Sequence, residues 1–169
     1  MTRRRALAVA VAAMSLAGPA AAQTTVDIFG TAAGTERLGT IVLQEEAGGG
    51  VRFTPDLGDI LPVGDHGFHA HVNPDCGAGG QAAGGHYDPG DTGRHEGPEG
   101  DGHLGDLPRL ASEAGRVVTA VVATQLTMSD LYGRALVIHE GGDNYSDSPE
   151  SLGGGGARLT CGVVPAAVP

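Results

Sequence analysis

Lysine is absent from this chain, so its ten basic residues are all arginine, and 20 Asp and Glu bring the formal charge to −10. Nucleic acids and anionic membranes bind through clustered cations, and this sequence offers no such patch. Uninterrupted apolar stretches are also missing: no segment beyond the first residues approaches the roughly 18 positions of a spanning helix. Sustained helical periodicity and internal repeats are absent as well, which argues against bundles, coiled coils and solenoids. Cysteine occurs only at Cys76 and Cys161.

The first residues form an address label. Arg3 to Arg5 are followed by an apolar stretch from Ala6 to Leu16, and Ala20-Ala21-Ala22 precede Gln23. That is the layout of a secretory signal peptide, so residues 1–22 are expected to be cleaved, leaving 23–169 as one mature, exported domain. The start partly matches a twin-arginine signal, but Ala6 stands where Phe is usual, and the ordinary export route is the expectation. Losing Arg3 to Arg5 moves the formal charge to about −13. In an exported chain the two cysteines read first as a disulfide; free thiols or metal ligands are the competing reading. Tying Cys76 to Cys161 would close a loop of about 85 residues, for which chain entropy gives roughly 4–5 kcal/mol.

Gly (30) and Pro (10) are abundant enough to raise the question of low complexity. Periodicity answers it. The runs TVDIF (25–29), TIVL (40–43), VRFT (51–54), GFHAHV (67–72), RVVTAVVAT (116–124), GRALVIH (133–139) and ARLTCGVV (157–164) are rich in β-branched residues and separated by turn formers. They predict an all-β domain, a sandwich or flattened barrel of about seven or eight strands. GDLPRLASEAG (105–115) can hold one helical turn. Residues 73–115 and 140–157 are long, glycine-rich and almost without apolar pattern, which makes them functional or disordered. The first contains His86, His95, His103 and several Asp, so a metal and a disulfide can order what a hydrophobic core cannot.

A lone histidine in a loop is more often hydrogen-bonded or exposed than a ligand; here the set makes the case. His69 and His71 are one residue apart on an expected strand, so both leave the same face and can grip one ion. His139 ends another expected strand at the mouth of the second long loop. Three imidazoles without a thiolate suit copper, zinc or nickel. His95, His103 and Asp106 form a second, mixed nitrogen and oxygen set that a tetrahedral zinc accepts well.

GDHGFHAH, AAGGHYDP, GRHEGPEGDGHLGDLP, LVIHEGGDNYSD and GGGGARLTCGVV, in that order and spacing from about residue 50 to 164, resemble the Cu,Zn superoxide dismutases, in particular the bacterial exported form. The resemblance implies an eight-stranded Greek-key β-barrel or sandwich with long metal-binding and electrostatic loops, and a periplasmic location. It implies dismutation of superoxide to dioxygen and hydrogen peroxide. Copper would be the working metal, because zinc has no accessible redox change. Carried over by position, the resemblance assigns His69, His71 and His139 to copper, His86 to copper and zinc together, and His95, His103 and Asp106 to zinc. His86 would also carry a proton to the departing peroxide.

The same resemblance makes Asp143 the carboxylate linking a copper histidine to a zinc histidine; the residues alone favour an Asx-turn in GGDN. Arg158 would dock the anion, where the sequence by itself suggests a surface arginine. His66 would be a buried brace bonded to backbone, in keeping with its place three residues before His69 on the opposite strand face. Bacterial relatives often carry lysines before the last copper histidine. This chain has only Arg134 there, so the resemblance leaves two readings: weaker steering of the anion, or steering supplied by Arg109, Arg116 and Arg134. The implied partner is superoxide, with the chain a monomer or homodimer. Rival readings are a non-catalytic metal-binding protein on the same scaffold, a copper-only enzyme, and a sandwich with incidental histidines.

Overall fold

The computed structural model describes residues 22–32, 36–58 and 61–167. The expected leader, residues 1–22, lies outside them except for Ala22. Among the described residues the strands are β1 (Gln23–Gly30), β2 (Arg37–Glu45), β3 (Val51–Leu57), β4 (Gly64–His66), β5 (Phe68–His71), β6 (Leu110–Ser112), β7 (Val121–Ala123), β8 (Ala135–His139) and β9 (Arg158–Val163), with one helical turn, α1 (Met128–Leu131). Seven of them form one curled antiparallel sheet in the order β5-β8-β9-β1-β2-β3-β7, and β4 pairs with β6 separately.

Alternation decides which side of the curl is inside. Val26 and Ile28 of β1, Ile41 and Leu43 of β2, and Val51, Phe53 and Leu57 of β3 are all fully buried, with exposed or partly exposed residues between most of them. Phe68 closes the interior against Phe53, edge to face at 5.3 Å. Strand β8 is buried throughout, because its two faces meet different neighbours. Leu136 and Ile138 join the main core, whereas Ala135 and Val137 pack with Cys161, Ala83 and Cys76 on the other side.

Two sequence expectations change. The stretch 105–115 holds strand β6 rather than a helical turn, because Leu110 and Ser112 are buried and pair with His66 and Gly64. The helical turn lies instead at 128–131, started by a bond from the Thr127 N–H to Asp130 Oδ2 at 2.9 Å. The run 116–124 narrows to β7, with Val117 making only an isolated bridge to Leu57. Strand β5 falls within the expected run 67–72 and joins the large sheet, whereas β4, just before Gly67, pairs with β6.

The Cys76–Cys161 disulfide is formed and ties the first long loop to β9. That loop is also fastened by backbone to the sheet edge: the Tyr87 N–H donates to Ala70 O at 2.8 Å and the Ala70 N–H to Gly105 O at 2.9 Å. Chain around His86 and Asp106 therefore lies alongside β5, where no strand pattern is visible in the sequence.

His66 ends β4 fully buried, with Nδ1 2.8 Å from His139 O and Nε2 2.8 Å from Pro62 O. Both ring nitrogens are engaged with backbone, so this ring braces the end of β8. His66→Ala should lower stability by about 2–4 kcal/mol, the scale of a broken buried network. Denaturant melts against metal analysis check this: a large loss of copper with an unchanged melting midpoint would contradict the brace.

Candidate metal centre

Three strand positions begin the site. In the β5–β8 register His69 faces Val137 and His71 faces Ala135, so both imidazoles leave the sheet on the side away from the main core. His139 follows on β8 just after a register shift, opposite Arg158, which opens β9. The loop running alongside β5 supplies His86, His95, His103 and Asp106, and the loop after β8 supplies Asp143. Most of these residues are buried: His69 and His71 are 0% exposed, His95 1%, Asp106 and Asp143 2%.

The donor atoms fall into two groups that share His69 and His86. His69, His71, His86 and His139 each bring a nitrogen within 4.8 Å of the others, and His69, His86 and His95 do the same with a carboxylate oxygen of Asp106. His103 lies at the edge of the second group, its Nδ1 3.4 Å from Asp106 Oδ1. Asp106 Oδ1 also accepts from His86 Nδ1 at 2.8 Å.

Four of the rings have one nitrogen hydrogen-bonded and the other left over. His69 Nε2 is held by Asp143 Oδ2 at 2.8 Å, His95 Nε2 by Asp143 Oδ1 at 2.7 Å, His71 Nδ1 by Gly84 O at 2.9 Å and His139 Nδ1 by Gly156 O at 3.3 Å. Buried and without a hydrogen-bond partner are His69 Nδ1, His71 Nε2, His95 Nδ1, His103 Nδ1 and His139 Nε2. His95 Nδ1 comes within 2.9 Å of Asp106 Oδ2, yet it is not aligned for a hydrogen bond, so the two atoms converge side by side. An unpaired buried polar atom costs about 1–3 kcal/mol. Five on one cluster suit a cation: a proton fixed on one ring nitrogen leaves the other a neutral donor, the arrangement of a metal-binding histidine.

Asp143 joins the two groups. Besides both rings it accepts the Tyr145 N–H at 2.7 Å, so the Asx-turn and the bridging role coexist. Gly153, at φ 69°, passes so close that a Cβ there would lie 2.1 Å from Asp143 Oδ1 and 2.7 Å from His95 Nε2. Asp147 has no counterpart among the sequence expectations. Its carboxylate accepts the backbone N–H of His95 at 2.8 Å and of Leu152 at 3.0 Å, pinning one long loop to the other. The short Asp-x-x-x-Asp spacing in DNYSD was its only trace.

Arg158 is half-buried, donating from Nη1 to Gly80 O and from Nη2 to Gly84 O, both at 2.6 Å. Gly84 O thus holds the guanidinium and His71 together. Arg158 faces a cleft of about 390 Å³ lined also by His86, His139, Gln81 and Glu150. None of Arg109, Arg116 and Arg134 lines that cleft. Arg116 lies 3.6 Å from Asp56, Arg134 sits over the Tyr87 ring at 3.4 Å, and Arg109 sits over Tyr145 at 5.0 Å. Glu150 and Gln81, on the cleft wall, carried no signal in the sequence.

Burial is the main cause of the protonation pattern. It pushes His69 down to about 4, His71 to about 2 and His139 to about 3. His86 is lowered by burial as well. Burial also opposes the charged form of His95, but Asp106 and Asp143 outweigh it and raise the ring to about 9. Burial is outweighed at Asp106 by the neighbouring His86 and His95 rings and at Asp143 by His69, His95 and the Tyr145 N–H, which hold both carboxyls below their usual range. Signs follow by linkage. Between 6.5 and their folded values His69, His71 and His139 bind protons only when unfolded, so their share of stability falls as pH falls. His95 acts oppositely, its contribution complete below 6.5 and lost as pH rises through about 9. The metal-free protein should therefore weaken from pH 6.5 to about 5, by up to ~2 kcal/mol for each of the three lowered histidines. Denaturant midpoints of chelator-treated protein should drop across that window; an unchanged midpoint would contradict the buried neutral rings.

Comparison with known proteins agrees with this geometry. The family profile described as "Copper/zinc superoxide dismutase (SODC)" matches residues 37–164. "Superoxide dismutase [Cu-Zn]" of Brucella abortus is 47% identical over 174 residues, covering 95% of this chain and 99% of that protein. "Superoxide dismutase [Cu-Zn] 2" of Salmonella typhimurium is 46% identical, covering 91% and 95%. Among solved structures, the Cu/Zn superoxide dismutase from Brucella abortus superposes with a TM-score of 0.78 at 48% identity, over 85% of this chain and 99% of that one. The chain belongs to the copper/zinc superoxide dismutase family.

Proposed function

We propose that this chain dismutates superoxide to dioxygen and hydrogen peroxide, holding copper through His69, His71, His86 and His139 and zinc through His86, His95, His103 and Asp106. The convergence of unpaired, buried ring nitrogens whose opposite nitrogens are already engaged carries the reading. His69 is grouped with both donor sets, and its free Nδ1 is assigned to copper. His103 is assigned to zinc because its Nδ1 is buried, unpartnered and beside Asp106.

When bound, copper supplies reversible one-electron exchange, which zinc cannot. Protein groups do the rest. Arg158 docks the anion in the cleft beside His86 and His139, its guanidinium held in place by two backbone carbonyls. His86 Nδ1 lies beside the zinc residue Asp106 and is assigned to zinc, so Nε2 is the atom on the copper side that would hold a proton and pass it to the departing peroxide. Asp143 keeps the rings of His69 and His95 in one orientation through the cycle. A non-catalytic metal-binding protein on this scaffold is disfavoured, since no assigned ligand and no docking arginine has been lost. The copper-only reading fails on the same ground, because the zinc set is complete.

Residues 1–22 are read as a cleaved leader, 23–169 as the dismutase domain, and the product as periplasmic. Strand β1 begins at Gln23, so cleavage before it would leave the first strand whole. Among the described residues no helix is long and apolar enough to cross a membrane. The chain acts as a monomer or a homodimer, and the Salmonella enterica relative of known structure, with a TM-score of 0.71 at 46% identity, is described as monomeric.

Metal analysis of mature protein should find about one copper and one zinc per chain, with rapid superoxide decay. Zinc binding without copper-dependent decay after copper loading would sink the enzymatic reading. His86→Ala should damage both sites and His95→Ala mainly zinc; equal and selective loss of copper in both would overturn the ligand assignment. The rate should fall with ionic strength, because docking rests on charge. Arg158→Ala should cost about ten-fold or more and flatten that dependence, measured by stopped-flow decay; a flat profile in the unsubstituted protein would contradict steering.

A further inference from the structure

Asp143 is hydrogen-bonded by two residues that no part of the proposed chemistry uses. Arg109, just beyond the zinc-binding loop, donates from Nη1 to Asp143 O at 3.1 Å, and its own backbone N–H donates to the Tyr145 hydroxyl at 3.1 Å. The guanidinium lies 5.0 Å over the Tyr145 ring, and Asp65 Oδ2 lies 3.8 Å from Nη1. Tyr145 in turn donates its backbone N–H to Asp143 Oδ1 at 2.7 Å. Its ring rests on the backbone of Gly97, where a Cβ would come within 2.5 Å of it. Three chain segments thus meet on Tyr145: the stretch around His95, the stretch carrying Arg109, and the loop carrying Asp143.

Tyr145 has φ 58°, a left-handed conformation that costs a non-glycine residue free energy and persists only where surroundings impose it. Here the cation over its ring, the bond to its hydroxyl and the contact with Gly97 impose it. The left-handed turn directs the Tyr145 ring toward Gly97 and Arg109 while its N–H bonds the carboxylate two residues earlier. We propose that Arg109 and Tyr145 are positioning residues that fix the Asp143 carboxylate between His69 and His95, and so set the zinc affinity of the site. The inference rests on the reading of His95 as a zinc ligand.

The test is zinc titration of metal-free protein in competition with a chromophoric chelator. Unsubstituted protein, His95→Ala, Arg109→Ala, Arg109→Lys, Tyr145→Phe and Asp143→Ala are compared, with Arg116→Ala as a control arginine outside the cluster. Arg109→Ala and Tyr145→Phe should each weaken zinc binding by about ten-fold, the lower end for partners that orient a ligand. Arg109→Lys should recover most of it, because the Asp143 carbonyl needs one donor, and Arg116→Ala should change nothing. Added to Asp143→Ala, Arg109→Ala should weaken zinc binding no further, since its effect passes through the carboxylate. A merely stabilising arginine would instead lower the melting midpoint and leave zinc affinity within two-fold in the single variant, or add its full effect in the double variant; either result overturns the proposal. If His95→Ala leaves zinc affinity unchanged, the ligand reading itself has failed and the inference falls with it.

Discussion

Two buried carboxylates, Asp106 and Asp143, hold the imidazoles of this protein at one edge of a sheet, and the rest of the structure serves to keep them there. Asp143 accepts from His69 and His95, and Asp106 accepts from His86 with His95 and His103 close by, so rings from different parts of the chain converge on both. Without those bonds the cluster would be a set of buried polar groups facing one another, an arrangement that expels itself into water. With them, one nitrogen of most rings is committed and the opposite one is presented as a neutral donor. The remaining cost of unpaired nitrogens is removed only when cations take them, which couples metal binding to folding.

The scaffold makes that cluster possible by separating two faces of the same strands. Phe68 and Ala70 enter the main core while His69 and His71, between and beyond them, leave on the other side. Strand β8 repeats the division, and the disulfide to β9 packs beside it. A sheet edge carrying buried histidines needs a lid, and the glycine-rich loops provide it. Their backbone pairs with β5, holds Arg158 through Gly80 and Gly84, and passes within a hydrogen atom's reach of Asp143 at Gly153. Glycine there is a condition of the geometry: a side chain would occupy the space of the carboxylate.

Most strands were legible because each is short, β-branched and ended by turn formers. β4 and β6 escaped notice because three residues are too few to show alternation, and β6 lies in a stretch whose Leu, Ala, Ser and Glu suggest a turn of helix. The run 116–124 has strong strand propensity along its length, yet only Val121–Ala123 finds a partner strand, and pairing is what stabilises a strand. For the site, the shared face of His69 and His71 followed from period two alone. The second donor set was visible as a composition. Where Arg109, Arg116 and Arg134 sit was not legible, because charge along a chain carries no direction: each makes its contacts outside the cleft that Arg158 lines.

By itself the sequence determined an all-β domain, a histidine pair on one strand face, a complete inventory of nitrogen and carboxylate donors, and, through ordered motifs, the family. These are local properties or matters of spacing, and they survive without knowledge of which segments touch. Only the tertiary structure decided that Asp143 spans His69 and His95, that Gly84 O holds both His71 and Arg158, and that Tyr145 gathers three segments under Arg109. The reason is physical. A hydrogen bond between residues 74 positions apart, such as His69 to Asp143, depends on how the sheet curls and where its loops return, and neither is encoded within any stretch short enough to read as a pattern.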